Sequence, residues 1–507
     1  MRSPQAVLSR GPSAVGAASS FLKPLSPAIL SPSISPLSPS STPLSRNAEG
    51  RRLASTNAGN TDWVTWLKRN ASSSMSSPGK ALLFAGLGSY PHTPSSPTAS
   101  SLKVWDEASD ALLSPDATIG YETRGMSDAG LKQVHGWMRG WVEGRSLEEL
   151  MKRPDVTAAF ILTSSLAILA SAKEKDGTPT LLPEGTTHLV GHGFIGTLTA
   201  LVAAGRLDLA TGVRLARIYT SLPPQPPRSH PRAHLTTVLS ARHFHSLSSP
   251  SFFVPPPPSS SDSTDDPFPP VSTESACDEM SESSSTPLKR RRAMQLILDE
   301  IHSLQRDWEK DTSANQEWAS AGIINSSKVL VVSGTHHAVL QVIERLQHLN
   351  LANPVMDVHM PCPYHTKLMT HAIPKFQDVL ERCTFRRPTA GSPIILDPMT
   401  THPIADSLST ALIPHLTAQL RWHKTLYRLY SSPIPEVSKF ITVGKGAKGL
   451  GIMLRGETRK RPPGAGVITI EEMGVPVDER TSRAMGKFKK QQQLENAGGS
   501  GGAKGKL

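Results

Sequence analysis

The sequence predicts an α/β protein built on a mostly parallel sheet, and three observations carry that reading. Ala81-Leu82-Leu83-Phe84 is a short apolar run stopped by Gly86 and Gly88, as expected of a strand buried on both faces that enters a glycine loop. Leu189-Val190-Gly191-His192-Gly193-Phe194-Ile195-Gly196 leads an apolar strand through a glycine turn into the Ala/Leu-rich stretch 199–205, the strand-turn-helix geometry that presents a nucleophile above a sheet. Strand-like and helix-like segments then alternate along the chain, as they do when crossover helices join parallel strands.

Taken in order, residues 1–60 are rich in Ser, Pro, Ala and Arg and nearly free of acids. That composition fits a mitochondrial transit peptide better than a secretory signal, with an ordinary unstructured tail as the plain alternative. Folded structure is expected from about Lys80. Helical spacing follows through Trp137, Trp141, Leu147 and Leu150, then Phe160, Leu162, Leu166 and Leu169. A strand at 188–190, the helix to Ala204 and a further helix over 207–219 complete a first block, 80–225. A smaller unit over 232–350 has strands at 234–239 and 328–332 and helices at 293–309 and 336–349. In the first of these helices Ile297, Ile301, Leu304 and Trp308 share one face, a packing stripe. Within this unit 246–287 is Ser/Pro/Asp-rich and reads as a disordered insertion. The chain then returns to the larger unit over 352–456, with strands at 393–396 and 440–443. From about Arg459 periodicity is lost, and 459–507 reads as a flexible basic tail.

Composition narrows the function classes. On a prior of about 150 residues per domain, 507 residues allow several domains, but many of the 44 prolines lie in Ser/Pro-rich stretches that cannot fold on their own. Cys277, Cys362 and Cys383 are odd in number and lack metal-ligand spacing, so they read as free thiols, with no disulfide framework and no metal site. Most of the formal charge of +12 sits in 1–52 and 478–507. A nucleic-acid footprint would instead be a basic stripe on a folded face, so no nucleic-acid partner is expected. Without an apolar run of about 20 residues, no membrane span is expected either.

Several segments together resemble the malonyl-CoA:acyl-carrier-protein transacylases of the mitochondrial type. They are Leu83-Phe84-Ala85-Gly86-Leu87-Gly88-Ser89, the stretch 191–205, Ala321-Gly322-Ile323-Ile324-Asn325-Ser326 before Val331-Val332-Ser333-Gly334, Pro363-Tyr364-His365-Thr366-Lys367-Leu368-Met369, and Thr442-Val443-Gly444-Lys445-Gly446. The resemblance spans about 80–455 and implies an α/β-hydrolase-like acyltransferase core with an inserted ferredoxin-like subdomain. It also implies mitochondrial fatty-acid synthesis, malonyl-CoA as substrate with no cofactor, and an acyl carrier protein and coenzyme A thioester as partners. In such an enzyme an elbow serine takes malonyl from coenzyme A, a histidine is the base, and the carrier's pantetheine thiol collects the acyl group.

Carried over residue by residue, the resemblance puts His365 at the base position, suited to taking and returning a proton. Leu87 stands where the family has a glutamine, beside a backbone oxyanion donor. His192 keeps its place next to the elbow. The nucleophile position is vacated: reading forward from Gly191 it is Gly193, and reading back from Gly205 it is Phe194. Tyr219 replaces the arginine that pairs with the malonyl carboxylate. Ser89, Thr197 and Thr199 are the hydroxyls nearest in sequence, none of them at the apex. Two functions therefore stay open: a malonyl transferase, or a non-catalytic relative that binds the carrier protein or its pantetheine arm. Either way, His192, Gly193 and His365 are expected to meet at one pocket at the carboxyl ends of the strands.

Overall fold

The computed structural model describes residues 79–89, 97–123, 154–226, 232–242, 285–310, 317–389, 391–404, 407–431, 437–459 and 467–474. The chain divides into Met1–Asn57 and Ala58–Leu507, and all described residues belong to the second unit. The expected targeting segment, the helical stretch around Trp137 to Leu150, and 246–284 of the expected insertion lie outside them.

The core opens with β1 (Gly79–Phe84), α1 (Ala99–Leu113), α2 (Pro154–Asp176), β2 (Thr186–Gly191), α3 (Gly193–Ala203) and α4 (Leu209–Thr220). Ala81 to Phe84 are fully buried, which explains their uninterrupted apolar run: β1 is central, with β2 on one side and a later strand on the other. Helix α2 packs on α1, α3 and α4, with Phe160, Leu162, Leu166 and Leu169 buried in the main core. Its segment Asp155–Asp176 is long and apolar enough to cross a membrane, contrary to the expectation from sequence. Yet 83% of its most apolar stretch is buried within the fold, so its hydrophobicity is that of a core helix.

The inserted unit runs β3 (His234–Ala241), α5 (Ser285–Lys310), β4 (Ala319–Ile324), β5 (Val329–Thr335), α6 (His336–His348) and β6 (Ala352–Asp357). Its antiparallel sheet has the order β4-β5-β3-β6. That β-α-β-β-α-β order and strand arrangement is ferredoxin-like. The stripe on α5 packs as expected: Ile297 and Ile301 are buried in the second core, with Leu304 and Trp308 against it. Two boundaries differ from the sequence reading. Helix α5 starts at Ser285, inside the stretch assigned to the insertion, and β6 extends the small unit beyond 350 by pairing with β3. Pro354 and the exposed Val355 and Met356 hid β6, because an edge strand needs neither an apolar run nor every backbone N–H.

The chain returns through α7 (Ile373–Glu381), β7 (Ile394–Leu396), α8 (Leu408–Leu412), α9 (Pro414–Thr417), α10 (Trp422–Ser431), β8 (Val437–Val443), α11 (Lys448–Thr458) and β9 (Thr469–Met473). The core sheet has the order β7-β2-β1-β8-β9, and every pairing is parallel. Strand β9 corrects the expectation of a structureless tail from 459. It pairs with β8 and directs Glu471 and Glu472 at cations: Lys439 lies 2.7 Å from Glu471, and Arg455 3.5 Å from Glu472. A charged edge strand carries no hydrophobic period to read.

Candidate functional site

Strands β1 and β2 are neighbours and end together, with Phe84 in register with Gly191 and the His192 N–H donating to the Phe84 carbonyl at 3.0 Å. The two loops that follow are therefore adjacent at the carboxyl ends of the sheet. Glycine is required twice at this junction. A Cβ on Gly191 would lie 1.8 Å from the Gly196 carbonyl carbon, so α3 could not descend onto β2, and one on Gly86 would lie 2.1 Å from the His192 oxygen.

Gly193 differs from these. It follows His192 at the strand-to-helix turn with φ +64°, and nothing stands within 4 Å of where its Cβ would be. Of the two positions the sequence left open, Gly193 is thus the apex, and it faces open space. Phe194 instead turns into the protein, 2% exposed, with its ring stacked on Tyr219 at 3.9 Å. Tyr219 stacks in turn on Tyr364 at 4.3 Å, making a three-ring pile. Both phenols are engaged, Tyr364 donating to the Tyr219 carbonyl at 2.8 Å and Tyr219 to the His415 carbonyl at 3.3 Å.

His365 arrives from the segment after β6 and is 5% exposed. Its backbone has φ +60°, a conformation non-glycine residues adopt only under tertiary constraint, and Gly322 beneath it leaves room for its Cβ. The ring Nδ1 lies 2.9 Å from the Ala418 carbonyl. A carbonyl only accepts, so Nδ1 carries the proton and Nε2 presents a lone pair. Burial, partly countered by the Ala418 bond, pushes this histidine down to about 4, so it is neutral at physiological pH. His192 is also lowered by burial; its Nε2 lies 2.8 Å from Asn325 Oδ1, and its ring meets Trp422 edge-on at 5.1 Å.

Leu87, His192, Gly193, Phe194, Tyr219 and His365, six of the residues singled out from sequence, line one small pocket that is partly open to solvent. Ile323, Met360 and Tyr364 complete its wall. The expected convergence of His192, Gly193 and His365 is thus observed. The three hydroxyls considered as substitutes do not reach the pocket. Thr197 donates to the Gly193 carbonyl at 2.8 Å, Thr199 to Ile195 at 2.7 Å and Ser89 to Gly86 at 2.7 Å. Cys362 is buried, donates to the Leu222 carbonyl at 3.1 Å and is raised to about 12 by burial, so it keeps its proton.

Chemically the arrangement offers a neutral imidazole lone pair and the N-terminus of α3, which has no side-chain cap. The first N–H groups of a helix lack intrahelical partners and suit a carbonyl oxygen that gains negative charge. No side-chain nucleophile stands at the apex. Among the described residues no group of His, Cys, Asp and Glu could hold a metal ion. Three contributors were not singled out from sequence. Asn325 fixes His192, the Ala418 carbonyl sets the His365 tautomer, and the buried His415 ring lies 5.9 Å from the His365 ring. Asn325 lies in the family-like segment Ala321–Ser326, whereas a backbone carbonyl leaves no mark in a sequence.

No family model matches the sequence, and no curated protein does. Solved structures do match. The malonyl-CoA–acyl carrier protein transacylase from Coxiella burnetii superposes with a TM-score of 0.51 at 15% identity, covering 80% of this chain and 96% of that one. The malonyl-CoA:acyl carrier protein transacylase from Xanthomonas oryzae gives 0.50 at 15% identity, covering 80% and 98%. This chain has the α/β acyltransferase fold of those transacylases, with the ferredoxin-like unit inserted in its core.

Proposed function

We propose that this protein is a relative of the malonyl-CoA:acyl-carrier-protein transacylases that seats the pantetheine arm of an acyl thioester, on coenzyme A or an acyl carrier protein, without taking the acyl group onto itself. The carrying observation is Gly193 at the elbow apex, open in front and with no side chain to acylate. The covalent route needs an oxygen or sulfur that attacks the thioester carbon while a base removes its proton. His365 supplies a base and the start of α3 a place for the carbonyl oxygen, but the acceptor atom is missing. Incubation of the full chain with radiolabelled malonyl- and acetyl-CoA should yield no covalent adduct, while calorimetry should detect binding of coenzyme A thioesters. A stoichiometric adduct on the unmodified protein would overturn the proposal.

One observation favours a second reading, an active malonyl transferase of mitochondrial fatty-acid synthesis: the His365 lone pair is held at the pocket where a base would be needed. The labelling assay separates the two. For either, the composition of residues 1–60 supports a mitochondrial location. A fluorescent protein fused behind them should enter mitochondria, and a diffuse cytosolic signal would remove that part of the proposal.

A further inference from the structure

The pocket says something about the acyl group itself, and this step rests on the thioester reading above. We infer that the acyl group admitted here is uncharged, a monocarboxylic acyl thioester, and that one ending in a free carboxylate is rejected. No lining residue carries a formal charge: the wall is Leu87, Phe194, Tyr219, Ile323, Met360 and Tyr364, with two histidines. A carboxylate leaving water needs a cation or several unused N–H or O–H donors. The pocket's side-chain donors are already engaged, and the unpartnered N–H groups at the start of α3 are taken up by the thioester carbonyl oxygen. Tyr219 and Tyr364 each donate to a backbone carbonyl, His365 Nδ1–H to Ala418 and His192 Nε2–H to Asn325.

A cation does lie on the same helix as Tyr219, but it serves a different cluster. Arg217 donates to the Tyr121 hydroxyl at 3.0 Å and the Glu122 carbonyl at 3.2 Å, with Asp155 3.8 Å away. Nor can Tyr219 swing aside, since its ring is held between Phe194 and Tyr364 and is 1% exposed. Burial, which holds His192 and His365 neutral, removes the remaining sources of positive charge.

Titration calorimetry on the full chain with coenzyme A, acetyl-CoA, butyryl-CoA and malonyl-CoA tests the inference, butyryl being a neutral match to malonyl in size. Acetyl- and butyryl-CoA should bind about 100-fold more tightly than malonyl-CoA, the discrimination expected from desolvating an unpaired carboxylate. Malonyl-CoA binding as tightly as acetyl-CoA overturns the inference and leaves the thioester site standing. Butyryl-CoA binding as weakly as malonyl-CoA also overturns it, because size would then be the discriminator. If none of the four binds, the thioester site itself is wrong and the inference falls with it. In a variant Y219R that retains the native circular dichroism spectrum, the ratio should shift toward malonyl-CoA by 10-fold or more, on the order of one charge-assisted pair.

Discussion

Gly191 and Gly193 are two residues apart, and the same substitution at each should have consequences of very different size. At Gly191 a methyl group would overlap three backbone atoms, the Gly196 carbon at 1.8 Å, the Thr197 nitrogen at 2.0 Å and the Gly196 oxygen at 2.1 Å. Backbone cannot rotate away, so α3 must lift off β2 and uncover core; G191A should lose about 3 kcal/mol or more, the range of severe core lesions. At Gly193 no atom lies within 4 Å, and the penalty is that of φ +64° alone. A left-handed L-residue costs about 1–2 kcal/mol, offset by about 0.4–1 kcal/mol from a stiffer unfolded chain. G193A should therefore lose about 1 kcal/mol, or about 2–4 °C in melting temperature. Urea and thermal denaturation of both variants measure this. If G193A costs as much as G191A, the open elbow is wrong, and with it the claim that only a missing side chain separates this site from an acyl-enzyme. The companion variant G193S places a hydroxyl at the apex. It should acquire label slowly from acetyl-CoA and much less from malonyl-CoA; complete absence of label from both would deny His365 the position of base.

Three further outcomes follow from groups around the pocket. His188 and His365 are each pushed by burial from 6.5 to about 4, so between those values the unfolded chain binds more protons and stability rises with pH. That stability is complete above the unfolded value and is lost as pH falls through the folded one. Going from pH 7 to pH 5 should cost about 2 kcal/mol per histidine in urea denaturation. The loss should shrink by about that amount in H365Q, and an unchanged pH dependence in that variant would refute the buried neutral assignment. His415 is fully buried with no hydrogen-bond partner at either ring nitrogen, so H415L should raise stability by about 1 kcal/mol; a loss of that size would reveal a hidden partner. N325A strips His192 Nε2 of its acceptor and should cost about 1–3 kcal/mol, with a smaller effect showing that the ring finds another.

Local pattern was enough to read much of the architecture. The run 81–84 announces a strand buried on both faces, the glycines from Gly191 to Gly196 announce a tight strand-to-helix junction, and the α5 stripe announces a helix with one packed face. These signals are legible because each is a direct consequence of period and of missing side chains, both properties of neighbouring residues. What escaped was structure at the edges. β6 carries Pro354 and exposed side chains and β9 carries Glu471 and Glu472, so neither shows an apolar period. The apolar length of α2 escapes such a reading for the complementary reason, since a helix covered on several sides has no polar face to mark it. At the site, the residue types at Gly193, His365 and Tyr219 were visible along the chain, and with them the gap in the chemistry. Only the tertiary structure decided that Gly193 and not Phe194 is the apex, because that depends on a backbone dihedral. It also decided that the Tyr219 ring is locked in a stack and that a distant backbone carbonyl sets the His365 tautomer. Those facts arise from contacts between β2, α4 and the segments around 365 and 418, parts of the chain that meet only when the sheet closes.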